Sequence, residues 1–251
     1  MFLPIRDDNP HTITPYVNYG LIIACAAAFL WQLSLGANGD AAVAAFGLTP
    51  GHLFGTVESD PNAPAAILTI FTSMFLHGGW MHVLGNMLYL WIFGDNIEAS
   101  LGHKRYLVFY LICGVAAALT QGFSAPTSDV PMIGASGAIA GVLGAYLILH
   151  PRANIRVIVF LFFSLNIPAF IVLGIWFVGQ LMSSAAADPN AAGVAFMAHI
   201  GGFIAGAVLV FFFKKRGVQV FEPAHTRAFA VERRPRRGSV PESGWRRGPW
   251  G

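Results

Sequence analysis

Six apolar segments, none containing a lysine or arginine, set the strongest limit on what this chain can fold into. They run from about Val17 to Leu35, Met81 to Ala99, Tyr106 to Phe123, Ser136 to Leu149, Ile167 to Met182 and Val194 to Phe213. Backbone in hydrocarbon must satisfy its own N–H and C=O groups, so such segments cross as helices. Composition agrees, because 55% of the 251 residues are hydrophobic and only 11% are charged, against about 25% charged in a soluble domain. The expected fold is an all-α polytopic membrane protein, a six-transmembrane-helix bundle with a long first extracytoplasmic loop. Several segments are shorter than the roughly 20 residues that cross about 30 Å of hydrocarbon. The stretch "VIVFLFFSLN" (157–166) is expected to extend the fifth helix or lie against the membrane, with a kink or break at Pro168.

The basic residues orient the bundle. Arg6 precedes the first segment, Lys104 and Arg105 separate the second from the third, and Arg152 and Arg156 separate the fourth from the fifth. The other ten follow the sixth, from Lys214 onward. The alternate connections (36–80, 124–135, 183–193) hold none, only Asp40, Glu58, Asp60, Asp129 and Asp188. The positive-inside rule then places both termini in the cytoplasm. Residues 1–16 form a short cytoplasmic N-terminus without the pattern of a cleavable signal, 17–216 the six-helix domain, and 217–251 a basic, disordered cytoplasmic tail. That tail suits weak contact with anionic lipid, and a net charge of +3 is no argument for nucleic acid. Cys25 and Cys113 read as buried thiols, without metal or redox spacing.

Polar residues in membrane segments are costly and mark candidate sites. Here they are His82, Asn86, Ser136 and His199, with Asp95, Asn96 and Glu98 near an inner end. At about 1.5 Å per helical residue, Ser136 lies roughly 21 Å above the His150 end of its segment. His199 lies roughly 22 Å above Lys214, and His82 roughly 20 Å above Asp95. Three segments thus bring a serine and two histidines to one level, about 10 Å below the outer surface of the hydrocarbon. The connection 124–135 must dip to meet Ser136, which implies a water-filled cavity open to the outside.

A serine hydroxyl becomes a nucleophile when a base takes its proton, and histidine is the usual base. Ser136 starts a helix, where unpaired N–H groups and the dipole favour developing negative charge. His82 and Asn86 are four residues apart, on one helix face, and both can donate. Each motif also has a plainer reading. Serine before a helix is a common cap, Gly137 and Gly141 form an ordinary packing pair, and a lone buried histidine is often only hydrogen-bonded. A metal held by His77, His82 and His199 is disfavoured, because no carboxylate or cysteine lies at that level. It is their shared depth that favours a site.

Three motifs carry a resemblance. They are Gly134-Ala135-Ser136-Gly137, Ala198-His199-Ile200-Gly201-Gly202-Phe203-Ile204-Ala205-Gly206, and His82-Val83-Leu84-Gly85-Asn86. In order and spacing, over about residues 15 to 215, the chain resembles the rhomboid intramembrane serine proteases. The resemblance implies that Ser136 is the nucleophile and His199 the base, a dyad with no third acid. It implies an oxyanion hole of His82, Asn86 and the Ser136 backbone N–H. Gly134, Gly137, Gly202 and Gly206 would be packing positions at the site, and Glu98, in "FGDNIEASLGHKRYL", a structural anchor. Several relatives carry an aromatic residue four positions after the serine, stacked on the histidine. Ala140 stands there, so what orients His199 is open. The implied activity is endoproteolysis of single-span membrane proteins toward the extracytoplasmic side, through an acyl-enzyme, with no cofactor and no metal. The alternatives are a non-catalytic rhomboid-like adaptor that binds membrane helices, or a small transporter or channel that uses the polar cavity. Intact Ser136 and His199 argue against the first, and the lack of a polar chain toward the cytoplasmic end against the second.

Overall fold

A computed structural model describes residues 2–10, 13–61, 63–159, 163–187 and 193–224. The chain is mostly helical. Strand β1 (Phe2–Asp7) leads into α1 (Tyr16–Ser34), and a 3-10 turn, Gly36–Asn38, precedes α2 (Gly39–Phe46), α3 (Pro50–Phe54) and α4 (Ala66–Thr72). Then come α5 (Trp80–Tyr89), α6 (Asp95–Leu101), α7 (His103–Ser124) and α8 (Ser136–Leu149). Strands β2 (Asn154–Val159) and β3 (Phe163–Pro168) precede α9 (Ala169–Ala186) and α10 (Phe196–Phe213). Among the described residues, four helices, α1, α7, α9 and α10, are long and apolar enough to cross a membrane. The expectation of a tail that is irregular beyond 224 falls outside the described residues.

Helix α8 is the centre of the bundle. Its eleven buried residues include Ala138, Ala140, Val142, Leu143 and Tyr146, and they cover all its faces. A helix apolar all round belongs in the interior. It packs most extensively on α10 and next on α7. Glycines allow the closeness. A Cβ added at Gly202 would collide with the Gly137 carbonyl oxygen, and one at Gly206 with that of Gly141.

Between α5 and α6 the helical backbone continues through a π-turn at Leu90–Gly94. Such a turn leaves a carbonyl without its i+4 donor. Asn18 of α1 supplies one: its Nδ2 donates to the Leu90 carbonyl at 2.9 Å, while its Oδ1 accepts from the Tyr106 hydroxyl at 2.8 Å. Glu98, fully buried, accepts from the backbone N–H groups of Val17 at 3.0 Å and Asn18 at 2.7 Å. It thereby caps α1, whose own N-cap, Pro15, offers no side-chain acceptor. His103 Nδ1 meets the same carboxylate at 2.5 Å.

The all-α expectation needs one correction. A three-stranded antiparallel sheet, order β1-β2-β3, is present. Residues 157–159 belong to β2 and 163–166 to β3, so they do not extend the fifth helix, and the chain breaks from strand to helix at Pro168. The physical reason is visible locally. Ile155 and Val157 are fully buried while Arg156 between them is not, a period of two that suits a strand with one face on the core. Its partner is remote: β1 pairs with β2 across about 150 residues, with Leu3 opposite Ile158 and Arg6 opposite Arg156. Residues 217–224, grouped with the tail by sequence, run back along the end of α8. There Phe221 and Glu222 donate backbone N–H bonds to the orphan carbonyls of Ile148 and Leu149, at 2.8 and 2.9 Å.

Candidate active site

The site forms where α8 begins. The connection 124–135 is tied down before it reaches Ser136. Leu48 and Met132 exchange two backbone hydrogen bonds, and the Gly134 N–H donates to the Ser73 carbonyl at 2.8 Å. The first loop thus encloses this irregular backbone, as burial in a membrane protein requires. The loop itself is pinned to α1 by a reciprocal amide pair. His77 N–H donates to Gln32 Oε1 at 2.9 Å, and Gln32 Nε2 to the His77 carbonyl at 3.2 Å.

Ser136 is the first residue of α8, and the cap position belongs to Ala135, which has no side-chain cap bond. The hydroxyl is used elsewhere: Ser136 Oγ lies 2.8 Å from His199 Nε2. As the first helical residue, Ser136 also has a backbone N–H without an intrahelical acceptor. His199, 9% exposed, reaches across from the second turn's start on α10, whose close approach to α8 depends on Gly202.

His82 and Asn86 flank this pair from α5, and all three helices contribute to one cavity of about 940 Å³. The cavity is lined by Ser136, His199, His82, Asn86, Gly134 and Trp176 among others. The Gly78 backbone N–H donates to His82 Nδ1 at 3.3 Å. That bond leaves the imidazole proton on Nε2, the nitrogen facing Gly134. Asn86 Nδ2 is buried with no hydrogen-bond partner among the described residues. Buried donors are normally paired, and Asn86 lines the cavity, so this amide can serve an acceptor that enters it.

Of the four glycines expected to pack helices, Gly134 does something else. It precedes α8 at φ +125°, a conformation that favours glycine. A Cβ there would lie 2.7 Å from His82 Nε2. Its role is to admit the His82 ring, not to bring two helices together. Gly137 packs against Ala117 of α7, while Gly202 and Gly206 lie at the α8–α10 contact.

The residue that sequence reasoning missed is Gln180 of α9. Its Oε1 lies 2.7 Å from His199 Nδ1, on the far side of the ring from Ser136. Trp176, one turn earlier on the same face, flanks the imidazole at a centroid distance of 5.9 Å. Together they supply the orientation that Ala140 cannot. Ser136 Oγ, His199 and Gln180 form one hydrogen-bonded row with the imidazole in the middle, and His82 and Asn86 line the same cavity. Such an arrangement can take a proton from the hydroxyl and receive negative charge on an attacked carbonyl oxygen.

The family model described as Rhomboid domain matches residues 64–216. The chain is 34% identical over 157 residues to RHOMBOID-like protein 12, mitochondrial, of Arabidopsis thaliana, covering 56% of this chain and 44% of that protein. It is 32% identical over 159 residues to Rhomboid protein 1, mitochondrial, of Saccharomyces cerevisiae, covering 59% and 42%. With Rhomboid protease GluP of Bacillus subtilis it shares 31% over 156 residues, covering 62% and 29%. The matches span about half or less of these relatives' own lengths. The matched region holds the serine, both histidines, the asparagine and the helices that bring them together, and the chain is therefore an integral membrane protein of the rhomboid family.

Proposed function

We propose that this protein is an intramembrane serine endopeptidase that cleaves transmembrane segments of other membrane proteins. The observation that carries the reading is the 2.8 Å hydrogen bond between Ser136 Oγ and His199 Nε2 inside a membrane-type bundle. In this reading His199 takes the hydroxyl proton as Ser136 attacks the scissile carbonyl. His82 Nε2, Asn86 Nδ2 and the Ser136 N–H stabilise the oxyanion. His199 then returns the proton to the leaving amine, and water hydrolyses the acyl-enzyme. Single-span helices that unwind locally suit the site, because an intact helix hides its carbonyls in i to i+4 bonds.

The bundle is read as six spans with both termini cytoplasmic and the cavity toward the extracytoplasmic side. Four long helices, the continuous run 80–101 and the short α8 support that count. At 14 residues, α8 is only about 21 Å long. It therefore starts beneath the outer surface, where a cavity from outside can supply water.

The test compares wild type and Ser136→Ala in detergent with a labelled transmembrane substrate. Cleavage by wild type alone is expected, and equal cleavage by both removes the proposal. Labelling by a fluorophosphonate is expected on Ser136, and labelling elsewhere overturns the assignment of the nucleophile. A reporter fused after Gly251 tests the topology and should be cytoplasmic.

A further inference from the structure

We infer that Gln180 is a positioning residue, holding His199 in the tautomer that can accept the Ser136 proton. The inference rests on the protease reading and deepens it. A neutral imidazole has one donor and one acceptor nitrogen. To take a hydroxyl proton, Nε2 must carry the lone pair, so the hydrogen must sit on Nδ1. A buried N–H without an acceptor is unfavourable, and His199 is nine-tenths buried. Gln180 Oε1, 2.7 Å from Nδ1, is the acceptor. Without it the other tautomer becomes competitive. Nε2 would then carry the hydrogen and point it at the serine oxygen, and the dyad would hold a donor where it needs a base.

The neutrality of this partner matters. Helices α8, α9 and α10 contain no aspartate, glutamate, lysine or arginine. From α5 the titratable group at this level is His82, with His77 behind it at a ring-centroid distance of 5.2 Å. Lys104 and Arg105 of α7 lie at that helix's opposite end, in its first turn. An amide therefore fixes the tautomer without the charge a carboxylate would bring. Gln180 is also the side chain through which α9, one of the less buried long helices, bonds to the dyad.

The test uses the whole 251-residue chain in detergent with Gln180→Leu and Gln180→Glu. The leucine variant removes the acceptor from a helix that tolerates apolar residues. Its kcat is expected to fall about 10- to 100-fold with KM little changed. The glutamate variant keeps an oxygen at the position. It is expected to recover most of the rate and to move the acid limb of the kcat profile to higher pH, because a carboxylate favours the imidazolium. Nitrogen-15 spectra of histidine-labelled protein, with His199 assigned from the His199→Ala variant, should show hydrogen on Nδ1 in wild type and not in Gln180→Leu. Wild-type rate in the leucine variant, or an unchanged Nδ1–H signal there, overturns the inference. The spectra need no substrate, so they read the tautomer even if wild type cleaves nothing, an outcome that would instead sink the protease reading.

Discussion

At the scale of single residues, the proposed protease separates groups that would react from groups that make room. Ser136→Ala is expected to lower the turnover rate by at least about 10³-fold, since dyad members act as a unit. It should leave thermal unfolding nearly unchanged. Asn86→Ala removes one proposed donor to the oxyanion and should cost roughly 10²-fold in kcat, measured with the same substrate at saturation. Gly134→Ala adds a methyl group against His82 at a strained φ, so loss of activity should come with a lowered melting temperature. Ser136, His199 and His82 stood out as candidates in the sequence because helical rise converts position into depth, and Asn86 because it lies four residues from His82 on one helix face. Gln180 carried the same signal, a polar side chain inside an apolar segment. Its partner was not legible, because the angular position of α9 around the bundle follows from packing.

Among the elements, polar devices decide where helices start and how closely they approach. Glu98 accepts two backbone N–H groups of α1 from 80 or more residues away. Glu98→Ala leaves those donors unpaired and should destabilise the fold by roughly 2 to 4 kcal/mol, seen as a lower unfolding midpoint in detergent. The α8–α10 seam is stricter. Gly206→Val drives a side chain into the Gly141 carbonyl and should cost more than about 3 kcal/mol. Fluorophosphonate labelling should fall with it, because the same seam sets the Ser136–His199 distance. Helix boundaries were legible where apolar runs met charges or prolines; α8 begins and ends at the expected Ser136 and Leu149. The sheet was not legible. A short apolar run rich in valine and isoleucine suits a strand or a buried helix equally, and the pairing partner at 2–7 is remote in sequence.

At the scale of the whole molecule, described segments from the two ends of the sequence meet on one side. The N-terminal strand, the β2–β3 hairpin and residues 217–224 gather near the end of α8, where Asp7 Oδ2 accepts from the Tyr146 hydroxyl at 2.5 Å and from Asn96 Nδ2 at 2.8 Å. Burial, chiefly, with Asp95 and Asp8 nearby, pushes the Asp7 carboxyl up to about 7 against the opposing Tyr146 bond. A carboxyl whose folded value exceeds its unfolded one makes the folded state bind more protons. Its stabilisation is full below about pH 4 and is lost as pH rises through about 7. The melting temperature of wild type should therefore carry a downward contribution between those values that Asp7→Asn removes, measured by scanning fluorimetry across that range. What the sequence determined by itself was a membrane bundle, with an expected orientation and an expected common level for Ser136, His199 and His82. Hydrophobicity, charge and helical rise are local properties, written along the chain. Only the tertiary structure decided which face of α9 meets His199, which segments pair as strands, and that Gly134 serves a ring and not a helix. Those are outcomes of packing between segments far apart in sequence, and no local period encodes them.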